Sequence, residues 1–447
     1  MSTARDQLLQ RVYAADHYQC ARAEIDTLQL LAAQELFETR AEQIPLVKKR
    51  ADDAGITRIR GFADLVPLLF PHTTYKSYPQ SFIDKGQWPR MQQWLNALSV
   101  DDVMKVDLSG VVTVDDWVDR LWANGHEVMA TSGTSGKCSF LNRNAHDREQ
   151  VRRYLGTVMG GFLGIAPHAD RPVFQLFPSS GPNYGVQTSR VNAELWGRPG
   201  EIHFLSDEPL RISQVSRAAI MRRAMMEGTA TPTAIAEFEA EGLAKSAQMK
   251  GRLVEMIERI MAHRHEPIFL SGQWGQHWTI VQKARAMGIG DGEFHPDSVV
   301  AAGGGIKGIP LPPDYEAQVN GFYGAVKRPK NYGMTEMALM FPRCEAHHYH
   351  QPAGMIPLML SGEGDQLLPR EGRVEGRFGF VDLLFEGRWG GVISGDKLTM
   401  DFSEVCPCGR RGPTILEPIT RYAPPGQDDH IGCAGTIDAY IRGTIEA

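Results

Sequence analysis

Apolar side chains in the first part of the chain, to about residue 60, recur at helical spacing. Leu28, Leu31, Ala32, Leu36 and Phe37 fall on one helical face, and Pro45 interrupts the run. Beyond this helical lead-in, short apolar runs alternate with long amphipathic stretches. Pro172 to Phe177 (PVFQLF), Pro267 to Leu270 (PIFL), Val299 to Ala302 (VVAA) and Phe378 to Leu384 (FGFVDLL) are predicted strands. Lys250 to His263 and Trp278 to Met287 are predicted helices. Such alternation predicts an α/β fold with partly parallel sheets. After Phe378, turn residues crowd in and strands shorten, the pattern of a small β-rich subdomain.

Composition narrows the class. The chain has 447 residues, 42% hydrophobic and 22% charged, with a formal charge of −6. That is enough for one large domain with subdivisions or for two or three smaller ones, and the acidic balance argues against nucleic acid as the main partner. No window approaches the roughly 18 apolar residues of a membrane span. The start, MSTARDQLLQ, lacks the apolar stretch of a secretory signal. The six cysteines, Cys20, Cys138, Cys344, Cys406, Cys408 and Cys433, are too sparse for a disulfide scaffold, which predicts a cytoplasmic protein with reduced thiols.

The chemically dense stretch is Ala130 to Ser139, ATSGTSGKCS, suited to wrapping phosphate oxygens. It is not the P-loop of kinases and ATPases. That motif needs Gly five residues before the Gly-Lys pair and Ser or Thr after it, whereas here Thr131 and Cys138 hold those positions. The run Thr131-Ser132-Gly133-Thr134-Ser135-Gly136-Lys137 instead resembles the loop of the adenylate-forming superfamily, which includes acyl-CoA synthetases, peptide-synthetase adenylation domains and luciferases. Three further segments follow in that superfamily's order: Ala302-Gly303-Gly304-Gly305, Asn331-Tyr332-Gly333-Met334-Thr335-Glu336, and Ser394-Gly395-Asp396. The likeness is strongest to phenylacetate-CoA-ligase-like proteins and to the acyl-protein synthetase of bacterial bioluminescence. YKSYPQSF (Tyr75 to Phe82), YGMTEM and GCAG (Gly432 to Gly435) support it.

The resemblance implies a large N-terminal adenylation domain of layered β-sheets flanked by helices, plus a small β-rich subdomain. Residues 1–105 would be its helical lead-in, 106–377 the α/β core, 378–420 the β-rich subdomain and 421–447 a short tail. It implies ATP and Mg2+ as cofactors and a small carboxylic acid as substrate. Thr131 to Gly136 and Lys137 would hold the β- and γ-phosphates, and Gly303 to Gly305 and Asn331 would border the nucleotide. Tyr332 would lie against adenine, Thr335 on the α-phosphate and Glu336 on magnesium, while Asp396 and Arg421 would reach the ribose. Adenylation brings two anions together, so charge neutralisation and alignment are what such residues must supply. Phe177, Tyr184, Trp274, Trp278 and Phe322 are candidates either for an acid pocket or for core.

Cys344 with His347, His348 and His350, and the distant pair Cys406 and Cys408, have the donors of a closed Cys3His zinc site. The alternative is reduced thiols with solvent-facing histidines. A similar pattern in phenylacetate-CoA-ligase-like proteins points to His350 as the fourth ligand. In typical members a mobile domain carrying a catalytic lysine follows the hinge arginine. After Arg421 this sequence offers only a short run without lysine, which puts thioester formation with coenzyme A in doubt. By analogy with the acyl-protein synthetase, Cys433 is the candidate acyl acceptor. Cys138 is expected to be a small buried side chain. The expected activity is adenylation of a fatty or aromatic acid, with the acyl group passed to a thiol or to a reductase, acyltransferase or carrier protein. The alternatives are a coenzyme A ligase completed by a partner chain and a non-catalytic nucleotide-binding relative.

Overall fold

A computed structural model describes residues 3–131, 137–304 and 311–423. They form two compact units, one built from residues before Leu155 and after Lys330, the other from Leu155–Lys330.

In the first unit the lead-in is helical as expected. Helices span Ala4–Val12, Arg22–Gln43 and Pro45–Ala54. Thr3 and Asp6 cap the first reciprocally, and Pro45 opens the third because its missing N–H would have no partner at that position. The helix Arg22–Gln43 buries Ala32, Ala33, Leu36 and Phe37. Leu31 departs from the predicted face and is 52% exposed, since the buried stripe runs through Gln29 and Ala33 instead.

The sheet of this unit has the order Tyr349–His350, Thr414–Arg421, Gly391–Asp401, Arg373–Asp382, Met355–Leu360, all antiparallel neighbours, with Phe70–Pro71 added in parallel against Gly391–Asp401. Its middle strand, Gly391–Asp401, is buried almost throughout, and it carries the polar Ser394, Asp396 and Asp401 inside along with its apolar residues. The predicted strand Phe378 to Leu384 is observed as Arg373–Asp382. It starts earlier because Arg373 to Glu375 lie toward solvent and carry no apolar signal.

The second unit is a four-stranded parallel sheet among the described residues, ordered Gly197–Ser206, Arg171–Pro178, Phe269–Gln273, Val299–Gly303. Helices cover both faces. Phe174 and Leu176 pack with Ile257, Ile260 and Ile280 on one side, while Val173 and Phe269 pack with Trp196 on the other. Adjacent strand residues point to opposite faces, so both must be apolar here. The helix predicted from Lys250 is the second half of Pro232–Ala262. The first half shows no apolar stripe because nothing buries it; Met256, Ile257, Ile260 and Met261 supply the buried contacts. The helix predicted as Trp278 to Met287 starts earlier and spans Trp274–Ala286. No helix among the described residues is long and apolar enough to cross a membrane.

A buried histidine lies inside this second unit. His277 is fully buried, with Nδ1 accepting from the Tyr323 hydroxyl at 3.0 Å and Nε2 donating to Ala301 O at 3.3 Å. Burial pushes its pKa down to about 4. Below the ordinary value of about 6.5 the unfolded chain takes up a proton that the folded one refuses. Stability is therefore present above that value and lost as pH falls toward 4, by about 3 kcal/mol in all. Urea unfolding of wild type and His277→Gln at pH 7 and pH 4 checks this: wild type should lose more stability on acidification than the variant, and an equal loss refutes it.

Candidate functional site

The YGMTE segment is a hairpin loop. Asn331–Tyr332 pairs antiparallel with Phe341–Pro342, and Gly333 to Met340 connect them. Gly333 is required there, because a Cβ would come within 2.6 Å of the Met340 side chain. Tyr332 is buried, its ring edge-on to Phe341, Tyr349 and Phe378. Its hydroxyl donates to Asp396 Oδ2 at 2.7 Å. Arg421 Nε meets the other carboxylate oxygen at 2.9 Å, the two residues being register partners on neighbouring strands. The Tyr332 phenol is held well above its ordinary pKa, first by burial, then by the Asp396 charge and, more weakly, by that of Glu336. Tyr332, Glu336, Asp396 and Arg421 thus share one electrostatic neighbourhood.

Within the loop, Glu336 is 9% exposed. Neither its carboxylate nor the Thr335 hydroxyl has a hydrogen-bond partner among the described residues, which leaves both side chains uncommitted. The backbone is the opposite case. Arg143 Nη2 donates to Thr335 O at 2.9 Å and to Met337 O at 3.0 Å, Arg388 Nη2 to Glu336 O at 2.5 Å. Asp382 Oδ2 accepts from Ala338 N at 2.7 Å and Leu339 N at 3.0 Å. Arg143, Arg388 and Asp382 are all buried, and motif reading missed them. A buried charge in a loop has no periodicity to reveal it.

The segment from Thr131 to Lys137 is described only at its ends. Thr131 and Ser139 pair across the mouth of a short hairpin, with Thr131 N donating to Ser139 O and Ser139 N to the Thr131 hydroxyl. Ser132 to Gly136 lie outside the described residues, as do Gly305 and Cys433. The Lys137 ammonium donates to Tyr78 O and sits 4.3 Å from that ring's centroid. Tyr78 in turn donates to Cys138 O at 2.8 Å, and Cys138 is buried as expected. Gly303 and Gly304 belong to the second unit, at the carboxyl end of Val299–Gly303, with Gly304 left-handed at φ +74. Of the candidate pocket residues, Phe322 and Trp274 are buried in core and Trp278 packs against it; Phe177 and Tyr184 sit at and beyond the carboxyl end of Arg171–Pro178.

The cysteine and histidine cluster assembles from two turns. Cys344 and His348 close a tight hairpin, and Cys406-Pro407-Cys408-Gly409 forms another in which Gly409 adopts φ +85. Pairing of His350 with Thr414 brings the turns together. One donor atom from each of Cys344, His350, Cys406 and Cys408 lies within 4.8 Å of all the others. Cys344 Sγ is 4.0 Å from Cys406 Sγ, and Cys408 Sγ is 3.4 Å from His350 Nε2. Tetrahedral arms of about 2.3 Å give edges of about 3.8 Å, whereas a disulfide needs about 2.05 Å, so the spacing suits a metal and not a bond. Burial pushes His350 down to about 3, which keeps the imidazole neutral, the form that ligates.

No family model matches the chain, and no curated protein matches it. Among solved structures, an open conformation of 2-hydroxyisobutyryl-CoA ligase in complex with 2-HIB-AMP and CoA matches with a TM-score of 0.55 at 14% identity, covering 89% of this chain and 70% of that one. The same ligase in its postadenylation state with R3-HIB-AMP matches at 0.52 and 13%, covering 94% and 73%. The chain therefore shares the fold of 2-hydroxyisobutyryl-CoA ligase, an α/β fold of the kind its sequence predicted.

The Tyr332 hydroxyl is a buried donor to a charged acceptor, an interaction that contributes about 2 kcal/mol when the acceptor is otherwise left short of a partner. Tyr332→Phe should lower unfolding stability by about that amount, read by urea denaturation at neutral pH; an unchanged midpoint would show the contact to be slack.

Proposed function

We propose that this protein activates a hydrophobic carboxylic acid, fatty or aromatic, by ATP-dependent adenylation. A substrate carboxylate oxygen attacks the α-phosphorus of ATP, the bond to the β-phosphate oxygen breaks, and pyrophosphate leaves with the bond's electron pair. The observation that carries this reading is the pair Thr335 and Glu336: a hydroxyl and the carboxylate of a buried residue, neither with a hydrogen-bond partner among the described residues, on a loop held by its backbone beside the Tyr332–Asp396–Arg421 group. A buried carboxylate is costly unless a cation compensates it, so Glu336 fits a magnesium ligand. Magnesium there would neutralise phosphate charge. Thr335 would donate to the α-phosphate, Asp396 would accept from ribose hydroxyls, and Lys137 with the loop from Thr131 would grip the leaving pyrophosphate. Lys137 exchanges its contact with Tyr78 O for phosphate in doing so.

The acyl-adenylate then passes to a thiol, either of coenzyme A, of Cys433 or of a partner enzyme. Coenzyme A is favoured to the extent that the matched ligase was solved with it.

Carboxylate-dependent exchange of labelled pyrophosphate into ATP, screened over fatty and aryl acids, tests the reading. Glu336→Gln and Thr335→Ala should each lower the exchange rate about 100-fold without lowering the thermal midpoint, and Lys137→Ala about tenfold. Full activity in Glu336→Gln would remove the loop from the reaction.

The cluster of Cys344, His350, Cys406 and Cys408 we assign to structural zinc, four protein ligands leaving no open position for water. Protein purified without chelator should carry one zinc per chain, and Cys406→Ser should lose it together with thermal stability. Metal analysis that finds none rejects the site.

A further inference from the structure

We propose that Arg143, Arg388 and Asp382 are positioning residues that fix the direction in which Glu336 and Thr335 present their side chains. The inference rests on the reading of those two as the phosphate-facing pair and adds the device that aims them.

The Cα–Cβ direction of a residue is set by its two flanking peptide planes, because each peptide unit is rigid. For Glu336 those planes carry the carbonyls of Thr335 and Glu336, and each is held by a different guanidinium, Arg143 and Arg388. The next plane is held at both ends, Met337 O by Arg143 and Ala338 N by Asp382. Leu339 N is the second donor to the same carboxylate oxygen. Backbone groups from Thr335 to Leu339 are thus gripped by three side chains arriving from two separate loops, and none of the grips uses the side chain of Thr335 or Glu336.

The gripping residues are themselves held. The Phe385 ring lies 3.8 Å from the Arg388 guanidinium and 5.4 Å from that of Arg143. Arg388 Nη1 also donates to the Tyr75 hydroxyl at 3.1 Å. Asp147, fully buried, accepts from Glu386 N at 2.7 Å and Gly387 N at 3.0 Å, tying the Arg388 loop to the segment that carries Arg143. Asp382 Oδ1 accepts from Leu384 N at 3.1 Å. Arg143 serves Thr335 O and Met337 O from one terminal nitrogen, and its fixed charge makes both bonds stronger than a neutral amide's would be.

The test compares Arg143→Gln, Arg143→Lys and Asp382→Asn with Arg370→Gln, which removes a partly buried arginine that donates to Pro357 O and pairs with Asp26, away from the loop. Pyrophosphate exchange is measured with kcat and KM for ATP resolved, and amide hydrogen exchange is followed across residues 335–341. Misaimed groups lose alignment rather than ground-state binding, so both Arg143 variants should lose about 100-fold in kcat with KM for ATP nearly unchanged, and Arg370→Gln should keep wild-type kcat. Exchange of the Ala338 and Leu339 amides should accelerate in Asp382→Asn. Arg143→Lys keeps the charge and serves if Arg143→Gln does not fold. Wild-type kcat in a folded Arg143 variant, a kcat loss matched by Arg370→Gln, or unaltered amide exchange in every variant overturns the proposal. If wild type shows no carboxylate-dependent exchange with any acid, the adenylation reading fails instead, and amide exchange still decides whether the loop is held as described.

Discussion

A buried segment that belongs to neither helix nor sheet must find partners for its own amides and carbonyls, and that requirement shapes the first unit around Thr335 to Leu339. The partners here are charged. Taking a guanidinium or carboxylate out of water costs several kcal/mol, a cost offset only when most of its hydrogen-bonding capacity is used. Arg388 binds Glu336 O, Trp389 O and the Tyr75 hydroxyl, and Asp382 binds three amides. Burial raises the Asp382 carboxyl above its ordinary range while those amides and Arg388 pull it back. The network is thus close to self-sufficient, and removing one member would expose the others to the full desolvation cost.

The antiparallel sheet delivers these groups to one place. Asp382 ends the strand Arg373–Asp382, and Arg388 shortly precedes Gly391–Asp401, so the connection between two neighbouring strands supplies two of the three grips. That connection is tight: a Cβ on Gly390 would lie 2.0 Å from Asp382 O, which only glycine permits. The strand Gly391–Asp401 then carries Asp396, whose partner Arg421 ends the adjoining strand, and the far end of that adjoining strand pairs with His350 of the metal-spaced cluster. One sheet therefore sets the register of the loop partners, the Asp396–Arg421 pair and the cysteine and histidine cluster together.

How much of this was legible in the sequence depended on whether a residue announces itself by pattern or by chemistry. Buried parallel strands did, since PVFQLF and VVAA must be apolar on both faces. The YGMTE and SGD motifs did as well, because glycines and a carboxylate recur there at fixed order. The Cys406-Pro407-Cys408 turn was visible for the same reason, and the structure brings Cys344 and His350 to it. Three things were not. Leu31 sits on the solvent side because Gln29, a polar residue, takes the buried place by donating to Ala353 O and Met355 O. The exposed first half of Pro232–Ala262 has no stripe to detect. Arg143 and Arg388 resemble any surface charge in a turn until tertiary contacts bury them, and Asp382, inside the predicted strand, carries no sign that its carboxylate turns to the loop.

The consequence for the site is a division of labour between backbone and side chain. In many loops a Thr hydroxyl or a Glu carboxylate is consumed in capping nearby amides, which fixes the loop and spends the group at once. Here buried charges from elsewhere fix the loop, and Thr335 and Glu336 stay uncommitted among the described residues although Glu336 is largely withdrawn from water. A loop held this way keeps the directions of those two side chains fixed without a contact of their own that a ligand would have to break.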